Sequence, residues 1–333
     1  TGLVHLAPAF GEDDYEVCKK QNIAFYLNID ENGKYLDHVT DYKGQNIFDA
    51  NSQVIKDLKD KNQLFHDSSY VHSYPHCWRC DNPLIYKAVG AWFMAVEPIK
   101  EQMIKNNQQI TWEPEYIKDN VMGKWLENAR DWCISRNRYW GSVLPVWKCT
   151  GENCKHLEVF GSKKELEDKI GHEITDLHKH IVDNYTYDCS KCNNAKMQRI
   201  PEVLDCWFES GGMPYAQLHY PFENKEFFEK NFPADFVVEY IPQTRGWFYT
   251  LLVLSTALFD KPPFLNVIAH GTILAGDGRK MSKRLKNYTE PIDLINQYGS
   301  DAVRLSLMNS TFTKGQDILY KDSKVEEELK GTI

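Results

Sequence analysis

Apolar and polar positions change rhythm twice along the chain. Residues 1–72 carry short alternating stretches, Leu3-Val4-His5-Leu6 and Ala24-Phe25-Tyr26-Leu27 among them, broken by Gly, Asn and Asp. Alternation with a period of two lines one face of a strand, so this part predicts the β-rich end of a domain. Aromatic residues then crowd positions 73–148. From about residue 201 apolar runs alternate with helical stretches: Asp235-Phe236-Val237-Val238-Glu239-Tyr240 reads as a buried strand, Arg245 to Phe259 as a helix, and Leu265-Asn266-Val267-Ile268-Ala269-His270 as the next strand. Strand, helix and strand in that order predict a right-handed parallel crossover. In a doubly wound α/β sheet the ligand lies beyond the carboxyl ends of the strands, which puts Glu239 to Gln243 and His270-Gly271 at one mouth. The end of the chain predicts helices: Thr289 caps one with Pro291 in its first turn, Gly299 ends it, and Ser300 caps a second bearing Ala302, Val303, Leu305 and Leu307.

Composition narrows the picture only a little. The 333 residues, 42% apolar and 26% charged, describe an ordinary globular protein with room for about two domains. No apolar run approaches the roughly 18 residues of a membrane span, so no membrane partner is expected. A net charge of −8 means that any nucleic-acid contact comes from local basic clusters. The chain opens Thr1-Gly2-Leu3-Val4-His5 without an initiator Met and reads as an internal piece of something longer.

Cysteine spacing points to chemistry. Nine Cys predict about a quarter of a Cys-x-x-Cys pair by chance, yet Cys77/Cys80 and Cys189/Cys192 both occur. Cys149 and Cys154 form a third close pair upstream of the second. Two knuckles at that separation suit a closed, structural Zn²⁺ site of four thiolates, with the segment between them folded out as a hairpin. Reduced core cysteines or a disulfide are the competing reading. Cys18, Cys133 and Cys206 read as packing residues, and His172, His178 and His180 as a surface strand.

Between sheet and helices lies Gly276-Asp277-Gly278-Arg279-Lys280-Met281-Ser282-Lys283-Arg284-Leu285-Lys286, a glycine-loosened basic loop attractive to polyphosphate. Lys280-Met281-Ser282-Lys283-Arg284 resembles the KMSKS signature of class I aminoacyl-tRNA synthetases. Asp131-Trp132-Cys133-Ile134-Ser135-Arg136-Asn137-Arg138-Tyr139-Trp140-Gly141 resembles the segment that returns from the editing insertion in the isoleucyl, leucyl and valyl group. Asp205-Cys206-Trp207-Phe208-Glu209-Ser210-Gly211 and Gln243-Thr244-Arg245-Gly246-Trp247-Phe248 are similar to the isoleucyl members in particular, and Thr1 to Tyr15 to the late part of their editing domain. The resemblance runs from end to end.

It implies the second half of a Rossmann-like parallel sheet with five regions: the end of a β-rich editing domain (1–72), a return segment (73–145), a zinc knuckle insertion (146–200), the second half of the nucleotide-binding fold (201–275) and a helical KMSKR region (276–333). The implied activity is an isoleucine–tRNA ligase: ATP with Mg²⁺ activates isoleucine to isoleucyl-adenylate, the aminoacyl group passes to tRNA(Ile), and mischarged valyl-tRNA is hydrolysed. Lys283 and Lys280 are the implied catalytic cations, and Glu239, Gln243, His270 and Gly271 the adenylate contacts. Trp207 and Trp247 wall the amino-acid pocket, and Asp14 holds the α-ammonium in the editing site. Cys149, Cys154, Cys189 and Cys192 hold structural zinc, with Cys77/Cys80 as a candidate second site. A cytoplasmic setting follows from the resemblance too. The family's HIGH signature is absent, so the isolated chain is expected to be inactive. Tyr240 and Pro242 stand where the family often has Gly and Asp, which puts the ribose contact in question. A valyl or leucyl relative and a noncatalytic RNA-binding scaffold stay open as alternatives.

Overall fold

The computed structural model describes residues 4–77, 79–192 and 194–332 and divides into two compact units, Thr1–Gly90 and Ala91–Ile333. In the first unit the described residues build two helices, α1 (Glu12–Lys20) and α2 (Ile47–Asp60), with isolated bridges at Ile29/Tyr35, Lys34/Asn46 and His76/Pro83 in place of a sheet. The β-rich expectation is therefore corrected. Ala24 to Leu27 lies outside any strand or bridge, with Phe25 and Tyr26 exposed. In α2 the amide of Phe48 is capped by the Asn46 side chain, and Ala50 is the residue the helix buries.

The second unit is centred on a three-stranded parallel sheet. Its first α-helix is α3 (Lys100–Gln108), followed by β1 (Thr111–Glu113), and then β2 (Ser135–Arg136) leads into a separate module. That module is a four-stranded antiparallel sheet of β3 (Val146–Cys149), β4 (Leu157–Val159), β5 (Tyr187–Asp188) and β6 (Lys196–Arg199), ordered β4-β3-β6-β5. Helix α4 (Lys163–Ile170) lies inside the insertion, so it is more than the expected hairpin. Its ends are explicit: the Ser162 hydroxyl accepts from the Glu165 amide at 3.2 Å, and Gly171 closes it at φ +81. Trp147 and Met197 fill the module's own core, and the Trp147 indole donates to the Tyr185 carbonyl at 2.7 Å.

The chain leaves the module through β7 (Val203–Leu204), paired with β2, and enters α5 (Cys206–Ala216). Strands β8 (Ala234–Tyr240) and β9 (Phe264–His270) flank α6 (Trp247–Phe259) in sequence, and the sheet order is β8-β9-β1 with every neighbour parallel. Phe248 to Thr256 are buried without a break, because α6 is apolar on all faces and packs against both α3 and α5. The two predicted strands are there, but β8 is not buried: Phe236 is 52% and Val238 49% exposed.

The chain ends with β10 (Ile273–Leu274), α7 (Pro291–Tyr298), α8 (Ser300–Met308), β11 (Ile318–Leu319) and α9 (Asp322–Thr332). Both expected caps sit one residue away from their predicted places. Glu290 and Gly299 hold the N-cap positions, while the Thr289 hydroxyl donates to Asp322 at 2.7 Å. Gly299 also ends α7, at φ +86. No helix among the described residues is long and apolar enough to cross a membrane.

Candidate functional site

The four-cysteine cluster is assembled by backbone geometry. β3 ends at Cys149, a turn returns Cys154, and the turn before β6 brings Cys189 and Cys192 opposite. Their sulfurs lie within 4.8 Å of one another, with Cys149 to Cys192 at 3.5 Å and Cys154 to Cys189 at 3.8 Å. A tetrahedron of Zn–S bonds of about 2.3 Å needs sulfurs about 3.8 Å apart, so the donor set fits zinc. The separations are also far beyond the roughly 2.05 Å of a disulfide, which removes that competing reading for these four. Backbone amides already point at two sulfurs, Gly151 to Cys149 and Lys191 to Cys189, both at 3.4 Å. Burial pushes the Cys189 thiol up, but the amides of Lys191 and Cys192 outweigh it and hold it below the usual thiol range. At Cys149 the Gly151 amide works downward and loses to burial and the three neighbouring thiols, so this proton is held tightly. Such a set sheds its protons when a cation arrives.

The other cysteines and the histidines do not join it. Cys77 is half-buried and Cys80 exposed, and among the described residues no third metal-type ligand gathers with them; Trp78 between them lies outside those residues. Cys18 is buried, but Cys206 is exposed at the start of α5 and does not pack as expected. His180 stands on a single helical turn, Lys179–Val182, with His178 at its N-cap, and neither lies on a strand. His178 pairs with Asp176 at 2.6 Å, and His172 rests on Tyr185.

A second set of side chains collects at the carboxyl ends of β8 and β9. Glu239 and His270 are the next-to-last and last positions of paired strands, with Tyr240 opposite His270 in register. Glu239 turns back to accept from the Tyr240 amide at 3.1 Å. The Tyr240 ring stacks on His270, and Phe312 packs on it at 4.3 Å. Gly271 is indispensable for a different reason than a ligand: a Cβ there would lie 1.9 Å from the Gln316 carbonyl oxygen. Gln243 accepts from the Trp247 amide at 2.9 Å, pinning the first turn of α6. Trp247 donates its indole N–H to the Ser210 carbonyl at 3.0 Å, and the Trp207 ring lies against Gly246, where a Cβ would meet it at 3.4 Å. Trp207 remains 40% exposed. Both indoles thus converge on the contact between α5 and α6.

Beyond β10 the basic loop is held by its own backbone. Asn287, which sequence reading passed over, accepts from the Ser282 amide at 3.0 Å and donates to the Lys280 carbonyl at 3.2 Å. Arg279 is paired with Asp277 at 2.7 Å. Lys280 and Lys283 are exposed, and among the described residues neither enters an ion pair.

Asp205 is a further residue that sequence reading did not single out. It is 3% exposed and its carboxylate accepts from the Trp207 amide at 3.3 Å, the Trp132 indole at 3.1 Å and Arg136 at 2.7 Å. In the first unit, Asp14 lies in the opening turn of α1 and accepts from the Ala7 amide at 2.9 Å, whereas Asp13 is exposed.

A parallel sheet, a lysine loop, two indoles on adjoining helices and a four-cysteine knuckle are the parts the sequence signatures describe. Residues 14–319 match the family model of tRNA synthetases class I (I, L, M and V). The chain belongs to the class I tRNA synthetases. It is similar to the isoleucine–tRNA ligases of Rickettsia akari (strain Hartford), 53% identical over 98% of this chain, and Rickettsia canadensis (strain McKiel), 52% identical over the same share. The chain spans 30% of the length of each. Among solved structures it resembles a Mycobacterium tuberculosis methionyl-tRNA synthetase in complex with methionyl-adenylate, with a TM-score of 0.51 over 96% of this chain and 54% of that one. At 17% identity that likeness speaks for the synthetase fold alone.

Proposed function

We propose that this chain is the central part of an enzyme that uses ATP and Mg²⁺ to activate isoleucine, transfers it to tRNA(Ile) and hydrolyses mischarged valyl-tRNA. The observation that carries this reading is the 53% identity to isoleucine–tRNA ligases spread over 98% of the chain, which a shared fold alone does not require. In the activation step the isoleucine carboxylate attacks the α-phosphate of ATP and pyrophosphate leaves. Negative charge grows on the departing phosphates, and a preorganised cation there lowers the barrier. Lys283 is that cation, with Lys280 beside it; their lack of ion-pair partners among the described residues leaves both charges available. A point charge on a flexible stem suits a loop that follows its substrate.

Glu239, Gln243, His270 and Gly271 form the adenylate's side of the mouth. Tyr240 occupies the face of His270, so the nucleoside enters past an aromatic stack where relatives of the family often have an open glycine. Trp207 and Trp247 give the isoleucine side chain rigid apolar walls. Walls of this kind hold valine nearly as well, as is established for isoleucyl-tRNA synthetases themselves, so a separate hydrolytic site is needed. Asp14 serves it by fixing the α-ammonium of the mischarged residue; its bond to the Ala7 amide aims the carboxylate. Cys149, Cys154, Cys189 and Cys192 would hold a structural zinc, which would tie the two turns together.

The test is amino-acid-dependent ATP–pyrophosphate exchange by the full-length protein. Isoleucine is expected to drive exchange most efficiently and valine less well. Exchange driven best by leucine, valine or methionine would refute the assignment, and no exchange with any amino acid would favour a binding role.

A further inference from the structure

Helix α5 does more than carry Trp207. Asp205 caps the helix from just outside it and Glu209 lies in its first turn, with Trp207 pointing about 200° away from Glu209. Asp205 holds the strand that enters the module, through Trp132 and Arg136. Glu209 holds the neck itself. Its carboxylate accepts from the Ser142 amide at 2.6 Å, and the Ser142 carbonyl accepts from the Leu204 amide at 2.7 Å, so one residue of the neck is gripped through both its backbone groups. Gly141, next to it, has φ +106, and a Cβ there would lie 2.7 Å from the Glu209 carboxylate. Only glycine lets the neck come this close. The same two residues border a cavity of about 1060 Å³ that runs from the neck to the wall of the four-cysteine module, with Trp140 exposed at its rim.

We infer that Glu209 is a positioning residue that couples the four-cysteine module to the amino-acid pocket, fixing the rotation of α5 and with it the Trp207 wall. This deepens the reading of that pocket as the isoleucine site and rests on it. The carboxylate touches neither substrate nor the reacting atoms. It acts through the helix: the neck pulls on one face, and Trp207 on the other side is pressed against Gly246. Freed from the neck, the first two turns of α5 keep their Asp205 cap and the Trp247 bond to Ser210 but lose the hold on the neck, and the Trp207 ring gains rotational freedom.

Two measurements test this. In the isolated chain, hydrogen exchange at the Ser142 amide is expected to be slow in the wild type, fast in Glu209→Ala and slow again in Glu209→Gln, whose amide oxygen still accepts. In the full-length enzyme, Glu209→Ala is expected to raise KM for isoleucine about tenfold with kcat and KM for ATP little changed, and Glu209→Gln to restore most of it. Gly141→Ala attacks the same contact from the other side and is expected to give the same signature. Combined with Glu209→Ala it adds nothing, because both changes break one contact. An unchanged isoleucine KM in both single variants, a loss that Glu209→Gln does not rescue, or additive effects would overturn the coupling. Failure of wild-type enzyme to use isoleucine would instead overturn the assignment of the pocket, and the Ser142 exchange result stands independently of it.

Discussion

The four-cysteine module and the basic loop after β10 are both polar, glycine-bearing insertions, yet they treat charge in opposite ways. In the module each buried or half-buried charge is met. Arg199 has a side chain with no exposure, paired with Asp183 and donating to the Glu202 carbonyl at 2.8 Å, while Asp183 also takes Lys179. Glu158 accepts from His156, Lys169 and Tyr187. The loop, by contrast, satisfies its backbone through Asn287 and leaves the ammonium groups of Lys280 and Lys283 in solvent. Satisfied charges hold a shape; charges kept without partners on a stapled backbone are ready for a substrate. On the proposed function, that contrast separates scaffold from chemistry in one fold.

The sharpest way to break it is at the metal. Cys149→Ser with Cys189→Ser is expected to abolish zinc retention and unfold the module, since coordination of a structural site contributes on the order of 10 kcal/mol. Metal analysis and thermal melting check this, and metal that survives the double change would refute the four-cysteine site. Next comes Arg199→Met, which strands Asp183 beside Lys179 alone. Breaking a buried pair costs about 3–5 kcal/mol, and the low end applies because Asp183 keeps 32% of its side chain exposed. Denaturant unfolding reads the loss, and a change near zero would mean the pair is dispensable.

Asp14 sharpens the comparison because among the described residues its carboxylate has one hydrogen-bond partner, the Ala7 amide. Asp14→Ala in the full-length enzyme is expected to slow deacylation of valyl-tRNA about ten- to hundredfold, the scale of one charge-assisted contact, with isoleucine activation intact. Asp13→Ala is the control. If only Asp13→Ala is crippled the register is off by one residue, and if neither matters this segment is not an editing site. Smaller still is the effect of Asn287→Ala, expected to raise KM for ATP about tenfold by freeing the loop while leaving isoleucine binding alone. Asn287→Asp keeps the acceptor for Ser282 and loses the donor to Lys280, so it is expected to fall between.

The smallest effect is a pH dependence. Burial works upward on Asp183, but Arg199 and Lys179 outweigh it and hold its carboxyl below the usual carboxylate range. A depressed folded-state pKa gives stability that is fully present above the unfolded value of about 3.9 and is lost as pH falls through the folded value. Module stability is therefore expected to be flat near neutrality and to decline below about pH 4, with a shallower decline in Arg199→Met. Unfolding midpoints across that range check the sign.

What the sequence shows of this arrangement depends on how local each device is. The cysteine knuckles and the Lys280 to Arg284 loop are legible because their parts lie a few residues apart. Strands β8 and β9 are legible as apolar runs, but the exposure of Phe236 and Val238 is not, since burial depends on what covers the sheet. β1 is three residues long, too short for periodicity to register, and is held by pairing with β9 across some 150 residues of chain. Asp205, Glu209 and Asn287 escape notice because each works through a partner's backbone or a distant side chain. The alternation in Ala24 to Leu27 misleads for the converse reason: the pattern suits a strand, and no neighbouring strand pairs with it among the described residues.

The central claim, that an unpartnered loop cation does the chemistry, is tested most directly by single-turnover formation of isoleucyl-adenylate in the full-length enzyme and in Lys283→Ala. With isoleucine and ATP saturating, the rate is expected to fall about 10²- to 10³-fold while the Kd for isoleucine stays unchanged, because the cation acts where charge develops. A variant that forms the adenylate at the wild-type rate, or that loses isoleucine affinity and rate by the same factor, would contradict the account.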